Sequence, residues 1–347
     1  MRDGIVGVGI IGAGNVGVMH IRAMEQVRAA RVVAVADLNA ATAARAATLA
    51  GCEVAASTEA LLAMPEIDLV CVCLPPSQHC ETAIAAARAG KHVLVEKPLD
   101  VSLASADRMI AACAQHGVLL GAVSQHRFDP AIRALSGLLA QGDLGRVLMA
   151  SSRTIWYRSP EYYASAGGWR GSLAEQGGVL MSQAIHYIDL LQYLMGGVEA
   201  TCAVCETLLH TDIEVEDTGL ALLRFSGGAV GSIEATTIAY PGMQSEINLY
   251  AERATVCIRD DRLHFYAAKD GIIPMLDNLL EEEDTTPTAA GDPIALDLSS
   301  HRDQLQDMVD AVREGRAPMV DGEKGREPIA VIEAIHRSAR QGGWVRL

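Results

Sequence analysis

Short apolar runs alternate with alanine-rich stretches of helical periodicity through residues 1–125. An apolar run without polar alternation is typical of a strand buried on both faces, and a helix after each strand predicts a parallel sheet covered on both sides. We therefore predict a doubly wound α/β domain of the Rossmann type over residues 1–125. Its predicted strands are Ile5–Ile11, Arg31–Ala36, Leu69–Leu74, His92–Val95 and Val118–Val123. Its predicted helices are Val16–Val27, Ala40–Ala50, Ser77–Ala89 and Ser102–His116.

The pattern changes beyond Asp129. A helix over Pro130–Gln141 is predicted to precede a strand that runs into Arg153–Trp156, and a polar aromatic loop then continues to Ser172. An apolar helix over Val179–Met195 follows. Strand-like runs joined by turn residues come next, and they predict an antiparallel meander, most simply an open sheet. Residues 126–347 are therefore predicted to form an α+β domain with an open, mainly antiparallel sheet that binds substrate.

The end of the chain carries one polar stretch and two helices. Lys269–Leu296 contains the acidic run 281–284 with proline and threonine, and we predict a solvated excursion there. Two amphipathic helices, His301–Glu314 and Gly325–Gln341, close the chain and are candidates to pack back on the first domain. Because an open sheet leaves an apolar face free, we expect subunits to associate sheet to sheet as a homodimer or homotetramer.

Composition narrows the class of partner. The formal net charge is −15, and only four of the 28 basic residues are lysines. Nucleic-acid binding needs concentrated Lys and Arg, so we expect a small-molecule partner instead. No apolar run reaches the ~18–20 residues of a membrane span and no signal pattern opens the chain, so we expect no membrane contact and a cytoplasmic location. The eight cysteines form no disulfide framework in so long a chain, and no metal site is predicted.

A glycine motif, Gly12-Ala13-Gly14-Asn15-Val16-Gly17, follows the first predicted strand and opens a helix. The first glycine would allow a tight turn, the second the approach of a pyrophosphate, and the third the helix–strand contact. Amides at the helix start would hold the phosphates. Asp37 ends the next strand, where its carboxylate would accept hydrogen bonds from the adenosine ribose and repel a 2′-phosphate. The motif therefore predicts NAD, with NADP less favoured.

Two later loops should lie at the same edge of the sheet, since ligands bind at the carboxyl ends of parallel strands. In the first loop, Leu74-Pro75 would form a wall of the cofactor site and His79 follows in the next helical turn. A structural role for His79 is the alternative. In the second loop, Glu96-Lys97-Pro98 places a lysine directly after a strand, and both Glu96 and Lys97 are candidates for contact with the cofactor. A nicotinamide cation would repel the Lys97 ammonium and favour its neutral, proton-accepting form. A surface lysine paired with Glu96 is the alternative.

The predicted helix Val179–Met195 is apolar except for one stripe. Ser182, His186, Asp189 and Tyr193 recur at offsets of four, three and four residues, which places them on one face. Polar side chains on a buried helix are costly unless they meet partners or a ligand. His186 is a candidate base, and Asp189 would orient or polarise its imidazole. A His–Asp pair that serves only the core is the alternative.

Other polar and aromatic residues are candidates for contacts with ligands. Trp169 and Arg170 offer an aromatic plate and a guanidinium for the nicotinamide half or for an anionic substrate group. Gln125 is a further candidate on the cofactor side. The candidates for lining a substrate pocket are Arg127, Tyr157, Ser182, Gln183 and Tyr240.

Taken with these motifs, the chain resembles the glucose–fructose oxidoreductase, inositol dehydrogenase and MocA (Gfo/Idh/MocA) family over nearly its whole length. The resemblance rests on the glycine motif, on Glu96-Lys97-Pro98, on Gly177–Leu180 leading to His186-x-x-Asp189, and on Gly315–Pro318. It implies a Rossmann domain, an open-sheet domain, NAD(P)-dependent chemistry on sugars or cyclitols, and dimers or tetramers. It also implies that Lys97 and His186 form the proton-handling pair.

One departure refines the resemblance. Many members have an aspartate four residues before the histidine, where this chain has Ser182-Gln183. With Trp169-Arg170-Gly171 and the segment 214–218, this is most similar to the nucleotide-sugar branch, which includes UDP-N-acetylglucosaminuronate 3-dehydrogenases. We thus expect an NAD-dependent dehydrogenase that oxidises a ring hydroxyl. The alternatives are an NADPH-dependent reductase of a keto-sugar or imine, and a non-catalytic sensor that binds NAD.

Overall fold

The computed structural model describes residues 4–280 and 298–347, which form two compact units. The first unit contains the described residues up to Gln125 and takes up the chain again for a stretch that ends at Arg326. The second unit begins at His126 and also contains Glu327–Leu347. Most of the predicted solvated excursion falls at 281–297, outside the described residues. Within the described ranges, no helix has the length and hydropathy needed to cross a bilayer.

The first unit is built on a six-stranded parallel sheet. Its strands are β1 (Val6–Ile11), β2 (Ala30–Ala36), β3 (Glu53–Val54), β4 (Leu69–Val72), β5 (His92–Val95) and β6 (Leu120–Ala122). Their order is β3-β2-β1-β4-β5-β6. The chain therefore adds β2 and β3 on one side of β1 and β4, β5 and β6 on the other. Both β1 and β4 are buried at every position, as expected of central strands covered on two faces.

Helices connect these strands. They are α1 (Asn15–Met24), α2 (Ala40–Ala50), α3 (Thr58–Leu62), α4 (His79–Arg88) and α5 (Leu103–Gln115). Local sequence sets the ends of α2. The Asn39 side chain accepts hydrogen bonds from the amides of Ala41 and Thr42, and Gly51 ends the helix at a φ of 62°.

The second unit is built on an eight-stranded mixed sheet. Its strands are β7 (Val147–Ile155), β8 (Val198–Glu206), β9 (Thr218–Phe225), β10 (Val230–Thr236), β11 (Glu246–Ala251), β12 (Ala254–Arg259), β13 (Arg262–Ala268) and β14 (Val345–Arg346). The order is β13-β12-β11-β7-β10-β9-β8-β14. Only β7 and β10 pair in parallel; the other neighbours are antiparallel.

The remaining helices are α6 (Pro130–Gln141), α7 (Pro160–Ala164), α8 (Ile185–Met195), α9 (Pro274–Asp277), α10 (Ser299–Glu314) and α11 (Gly322–Gln341). Helix α10 belongs to the first unit, where Leu305, Met308 and Val309 join the core formed by Val8 and Ile10. Helix α8 packs on β7 and β11 of the second unit. Side chains on the other face of that sheet, such as Leu222 and Val230, are more than half exposed.

The predicted fold class is confirmed, with three differences. The sheet of the second unit is no simple meander, because β7 pairs with β10 and β11, both distant in sequence. The predicted polar loop before Ser172 contains α7 and a 3₁₀ segment, Ser165–Gly171. The predicted helix over Val179–Met195 begins with a π-helical turn, Leu180–Ala184, before α8.

Candidate functional site

The glycine motif lies between β1 and α1, and two of its glycines are required by close backbone contacts. Gly12 has a φ of 91°, and a Cβ there would lie 2.4 Å from the Cys73 carbonyl oxygen. A Cβ at Gly17 would lie 2.0 Å from the Gly12 carbonyl oxygen. Both distances are far shorter than any non-bonded contact between carbon and oxygen, so only glycine fits at either position. The turn and the helix–strand contact are therefore as the motif predicted.

Gly14 differs, because a Cβ there would meet no protein atom within 4 Å. Gly14 is also the N-cap of α1 and provides no side chain to accept from the amides of Asn15 and Val16. Open space in front of uncapped amides fits a phosphate group. The Asp37 carboxylate accepts a hydrogen bond of 2.7 Å from the Ala13 amide. It is thus fixed beside the glycine turn, at the end of β2, as a nucleotide ribose would require.

Leu38 was not predicted as a site residue. It is fully exposed immediately after Asp37. A large apolar side chain exposed next to the Asp37 carboxylate offers a surface on which an aromatic ring such as adenine could pack. The sequence signal was present, since Leu38 is the one apolar residue in the polar turn before α2.

Lys97 is half-buried at the end of β5, and its backbone is held by the neighbouring carboxylate. The Lys97 amide donates a 3.0 Å hydrogen bond to Glu96 Oε2. Glu96 Oε1 lies 2.6 Å from His20 Nε2 on α1. Glu96 is buried, so this differs from the exposed Glu96–Lys97 pair and from the cofactor contact that the sequence suggested. Instead, Glu96 joins the lysine loop to the helix that begins at the glycine motif.

This His20–Glu96 pair is ionised. Burial by itself lowers the pKa of His20, but the nearby Cys71 side chain and the hydrogen bond and charge of Glu96 outweigh burial and raise that pKa to about 10. Burial raises the pKa of Glu96, but the hydrogen bond and charge of His20 lower it to about 2. His301 on α10 lies near, with its ring 6.4 Å from the His20 ring. A buried ion pair therefore supports the backbone of Lys97.

His79 has a supporting role and does not fit as a ligand contact. It is fully buried, and its ring nitrogens lie 3.0 Å from the Pro98 carbonyl oxygen and 2.8 Å from the Leu74 carbonyl oxygen. The side chain thus links the two loops after β4 and β5. The expectation that His79 binds cofactor is corrected, because neither nitrogen is exposed. Pro75 follows Leu74 and caps the 3₁₀ segment Pro76–Gln78. Gln125 begins a second 3₁₀ segment, Gln125–Phe128, after β6.

In the second unit, Glu216 positions the start of the helix that carries His186. Its Oε1 accepts a 3.0 Å hydrogen bond from the Leu180 amide, and its carbonyl accepts one of 2.9 Å from Val179. A Cβ at Gly178 would lie 2.5 Å from Glu216 Oε1, which explains the glycine there. Glu216 belongs to the motif 214–218, but its capping role could not be inferred from the sequence.

His186 follows the π-helical turn directly, and π-turns occur often at functional sites. Its ring lies 5.0 Å from the ring of His126, edge to face. His126 Nδ1 in turn lies 3.0 Å from carboxylate oxygens of both Asp129 and Asp261. Tyr187 donates a 2.9 Å hydrogen bond to Asp261. The sequence did not predict this cluster, which joins the 3₁₀ turn after β6, α8 and the β12–β13 turn.

His126 is charged in this cluster. Burial lowers its pKa, but the Asp261 charge and the hydrogen bonds that the ring donates to both carboxylates raise it to about 10. The three ligand atoms of His126, Asp129 and Asp261 lie within 4.8 Å of one another, a spacing that the two ion pairs explain. His186 therefore has a protonated imidazole as its neighbour.

Asp189 receives hydrogen bonds from two guanidinium nitrogens of Arg127, at 2.9 and 2.5 Å. The Arg127 guanidinium also lies 4.6 Å from the Tyr193 ring centre. Arg127 is only 1% exposed, so it is an interior ion-pair partner. This corrects the expectation that Arg127 lines a substrate pocket, because its guanidinium is buried and already bound by a carboxylate.

An aromatic cluster surrounds two arginines between β7 and the π-turn. The Arg158 guanidinium lies 4.9 Å from the Trp156 ring centre and 5.2 Å from that of Tyr162. Its Nη2 donates a 3.1 Å hydrogen bond to the Gln183 side-chain oxygen, and Gln183 donates to the Tyr162 hydroxyl. The Arg170 guanidinium lies 4.8 Å from the same Tyr162 ring. Arg158 was not predicted from the sequence.

The other predicted residues of this unit are placed as follows. Tyr157 and Tyr240 meet edge to face with ring centres 5.2 Å apart, and Tyr240 is largely exposed. Trp169 lies against Arg170, whose guanidinium is 4.7 Å from its ring centre. The Ser182 hydroxyl donates to the Gly178 carbonyl of its own helix. Such bonding back to the helix uses the hydroxyl that was expected to bind substrate.

Comparison with known proteins identifies the class of this chain. A family model described as oxidoreductase family, NAD-binding Rossmann fold, matches residues 6–123. A second, described as oxidoreductase family, C-terminal alpha/beta domain, matches residues 137–347. The chain belongs to the Gfo/Idh/MocA oxidoreductase family. The resemblance inferred from the motifs is thus confirmed, and the NAD-binding description agrees with the predicted cofactor.

Individual relatives cover the whole chain. Myo-inositol 2-dehydrogenase of Thermotoga maritima is 27% identical, with 98% of each chain covered. The WlbA dehydrogenase of Bordetella pertussis, solved with NADH and UDP-GlcNAcA, is 32% identical, covers 100% of this chain and 99% of its own, and has a TM-score of 0.90. The WlbA structure from Chromobacterium violaceum, with the same two ligands, is 27% identical, covers 100% and 97%, and has a TM-score of 0.88.

Proposed function

We propose that this oxidoreductase is an NAD-dependent dehydrogenase that oxidises a secondary ring hydroxyl of a sugar, sugar nucleotide or cyclitol. The observation that carries the proposal is the edge of the parallel sheet in the first unit. There the open space at Gly14, the fixed carboxylate of Asp37 and the half-buried Lys97 all follow carboxyl ends of strands. A dinucleotide needs space for its phosphates and a carboxylate for its ribose, and oxidation of an alcohol needs a side chain that handles a proton. This one edge offers all three.

NAD, when bound, supplies the acceptor for a hydride at its nicotinamide C4. The chain's own residues handle the remaining proton. His186 removes the proton of the hydroxyl group, and Lys97 donates a hydrogen bond to the same oxygen and polarises it. The two side chains can exchange these roles, and the overall reaction then has the same reactants and products. The alcohol loses one hydride and one proton, and the products are a ketone, NADH and a proton.

Kinetics of single variants test these roles. Lys97→Ala is expected to lower kcat by about 10²–10⁴-fold, the usual contribution of a general acid or base, with an NAD dissociation constant within about threefold of wild type. His186→Ala is expected to behave likewise. Unchanged turnover in either variant would remove that residue from the proposal.

Cofactor preference separates the proposal from its enzymatic rival. Asp37 supports NAD, because its carboxylate would repel the 2′-phosphate of NADP. Equilibrium titration should therefore give tighter binding for NAD than for NADP. Tighter binding of NADP would favour the NADPH-dependent reductase of a keto-sugar or imine.

A panel of alcohols separates catalysis from sensing. Production of NADH, followed by absorbance, is expected with at least one of myo-inositol, levoglucosan and UDP-GlcNAcA, the compounds that the names of relatives suggest. NAD binding without NADH formation from any polyol, sugar or sugar nucleotide would favour the metabolite sensor. Because the reaction needs the intracellular NAD pool, we also propose a cytoplasmic location, which cell fractionation tests.

We further propose that subunits associate through the open face of the mixed sheet. Met149, Leu220, Leu222, Val230 and Phe265 are each about half exposed there, a large apolar surface for one protein to leave in water. Light scattering after chromatography should give a dimer or tetramer, and Leu222→Lys should shift it toward monomer. A wild-type monomer would contradict the proposal.

A further inference from the structure

Asp129 lies at the start of α6 and binds a histidine instead of the helix. It is the N-cap residue of α6, but its carboxylate makes no hydrogen bond to the first amides of that helix, which lie within the described residues. An aspartate at this position usually accepts such a bond and so stabilises the helix. Asp129 Oδ2 lies instead 3.0 Å from His126 Nδ1, and the Asp129 side chain is 9% exposed. The chain thus gives up a helix cap in order to hold the His126 ring.

Asp261 reaches the same ring from the turn between β12 and β13. Asp260 and Asp261 have φ values of 40° and 70°, in the left-handed region that residues other than glycine rarely adopt. Such backbone strain persists only where surrounding contacts maintain it, and it is concentrated at functional sites. The Asp261 carboxylate makes contacts of this kind, because it lies 3.0 Å from His126 Nδ1 and accepts a 2.9 Å hydrogen bond from Tyr187. Two separate elements therefore place a carboxylate at one imidazole nitrogen.

The His126 ring brings a fixed positive charge to His186. The two ring centres are 5.0 Å apart and the ring planes are inclined at 87°, so the edge of one ring meets the face of the other. Burial lowers the pKa of His126, but the Asp261 charge and the hydrogen bonds to both carboxylates raise it to about 10, so the ring is protonated at neutral pH. A cation in contact with His186 opposes a second positive charge on the His186 ring.

The two carboxylates act on His186 in the opposite direction. Negative charge near an imidazole favours its protonated form, so Asp129 and Asp261 without a counter-ion would hold a neighbouring base in the protonated state. The His126 imidazolium offsets that effect.

The surrounding elements add other charges near this cluster. Arg127 pairs with Asp189 on α8 and lies 3.8 Å from Glu327 on α11. Asp260 and Arg262 flank Asp261 in the β12–β13 turn, where their opposite charges compensate each other. Burial raises the pKa of Tyr187, so its hydroxyl stays neutral and donates to Asp261. Because these groups are paired or neutral, His126 is the charge that decides the balance between the two carboxylates and His186.

We propose that His126 is a positioning residue for the reaction: its imidazolium, fixed by Asp129 and Asp261 against the ring of His186, keeps His186 neutral. His186 is then the base, and Lys97 is the donor of a hydrogen bond to the same oxygen. This inference rests on the proposed dehydrogenase function and assigns the two roles that the overall reaction leaves interchangeable. The O–H bond of the alcohol breaks, its proton binds a ring nitrogen of His186, and the hydride leaves the carbon for NAD.

Titration of the histidine ring signals tests the proposal without requiring turnover. Nuclear magnetic resonance of histidine-labelled protein, with no cofactor added, follows each imidazole against pH. The signals of the two rings are identified by their loss in His126→Arg and in His186→Asn. In wild-type protein at about pH 7.5, the His126 ring should be protonated and the His186 ring neutral. A neutral His126 ring or a protonated His186 ring at that pH would overturn the proposal.

Two substitutions at His126 separate its charge from its ring. His126→Gln removes the cation and leaves both carboxylates, so the His186 signal should titrate about one to two pH units higher, as expected for loss of a unit charge 5.0 Å away in a partly buried site. His126→Arg keeps a cation for the two carboxylates and should leave the His186 titration within about half a pH unit of wild type.

The matched control is His210→Gln. It also removes a buried imidazole in ring contact, 4.8 Å from the Tyr163 ring, and should leave the His186 titration unchanged. A His186 signal that titrates at the wild-type pH or lower in His126→Gln, or that moves equally in His210→Gln, would refute the inference.

The pH profile of kcat/KM gives the functional readout, measured with the alcohol of the panel that yields NADH. In His126→Gln, kcat/KM should fall about 10–100-fold at about pH 7 and recover as pH rises toward about 9, because the base must be neutral and now titrates at higher pH. His126→Arg should keep the wild-type profile. A loss in His126→Gln that is equal at every pH would leave His126 a structural role only and remove the inference.

The two readouts also separate this inference from the proposed function. NADH formation with a pH profile that His126→Gln leaves unchanged would keep the dehydrogenase and remove the role of His126. A His186 signal that titrates higher in His126→Gln, with no NADH from any alcohol of the panel, would keep the effect of His126 on His186 and remove the dehydrogenase. Should His126→Gln fail to fold, the ring signals of wild-type protein and of His126→Arg decide the question.

Discussion

Glu96→Gln tests the ion pair that supports the Lys97 loop. The substitution keeps the shape and a hydrogen-bond acceptor for His20, but removes the buried charge that lies 2.6 Å from its Nε2. Burial then lowers the pKa of His20 with no carboxylate to oppose it, and only the Cys71 side chain still favours the charged ring. The variant should therefore lose stability by an amount that depends on pH, which a simple packing defect would not do.

The magnitude follows from the pKa of His20. Because this pKa is raised from 6.5 to about 10 in the folded protein, its contribution to stability is fully present below about pH 6.5 and is lost as pH rises through 10. At 1.36 kcal/mol per pKa unit, the contribution is about 5 kcal/mol at pH 6, about 3 at pH 7.5 and about 1 at pH 9.5. The lowered pKa of Glu96, about 2, also contributes to the stability of the wild-type protein. That contribution is fully present above about pH 4.5 and is lost as pH falls toward 2.

Urea unfolding of wild type and Glu96→Gln at pH 6, 7.5 and 9.5 measures this difference. The difference in unfolding free energy should shrink steadily across the three pH values. Glu25→Gln, at the exposed end of α1, is the matched control and should show a difference below about 0.5 kcal/mol at each pH. A loss in Glu96→Gln that stays constant from pH 6 to 9.5 would refute a charged His20.

Three further outcomes follow from the geometry. Gly14→Val should leave the free energy of unfolding within about 1 kcal/mol of wild type, because the new side chain enters open space, yet it should weaken NAD binding at least about tenfold by titration. Gly17→Ala should instead lower stability by about 1–3 kcal/mol or more in thermal unfolding. Asp37→Ser should raise the ratio of NADP to NAD affinity by about tenfold in fluorescence titration, and an unchanged ratio would exclude its role in cofactor choice. Arg127→Leu should cost about 3–5 kcal/mol in urea unfolding, because it removes the guanidinium that pairs with the buried Asp189 carboxylate, and a loss below about 1 kcal/mol would contradict the ion pair.

Local signals in the sequence predicted several elements to the residue. The helix over Ala40–Ala50 has an asparagine N-cap and a glycine at its end, and Pro130–Gln141 begins at proline and ends before Gly142. Proline and glycine fix helix ends through their own backbone geometry, and Asn39 does so through hydrogen bonds to the next two or three amides, so no distant contact is needed. The glycine motif was predictable for the same reason, since its spacing encodes the turn.

Long-range partners could not be predicted from local pattern. The pairing of β7 with β10 joins segments about 80 residues apart, and the periodicity of each strand carries no record of its neighbour. The Arg127–Asp189 and His126–Asp261 pairs depend on that same assembly. A polar stripe on α8 was visible in the sequence, but which charges it would meet was not. Glu216 and Arg158 were missed for this reason.

A double-mutant cycle in kcat/KM on Lys97 and His186 tests the central claim most directly. If both side chains handle one proton, each alanine variant should lose about 10²–10⁴-fold, and the double variant should lose far less than the product of the two losses. NAD affinity should remain within about threefold of wild type throughout. Losses that multiply independently, or turnover that survives either substitution, would contradict the account.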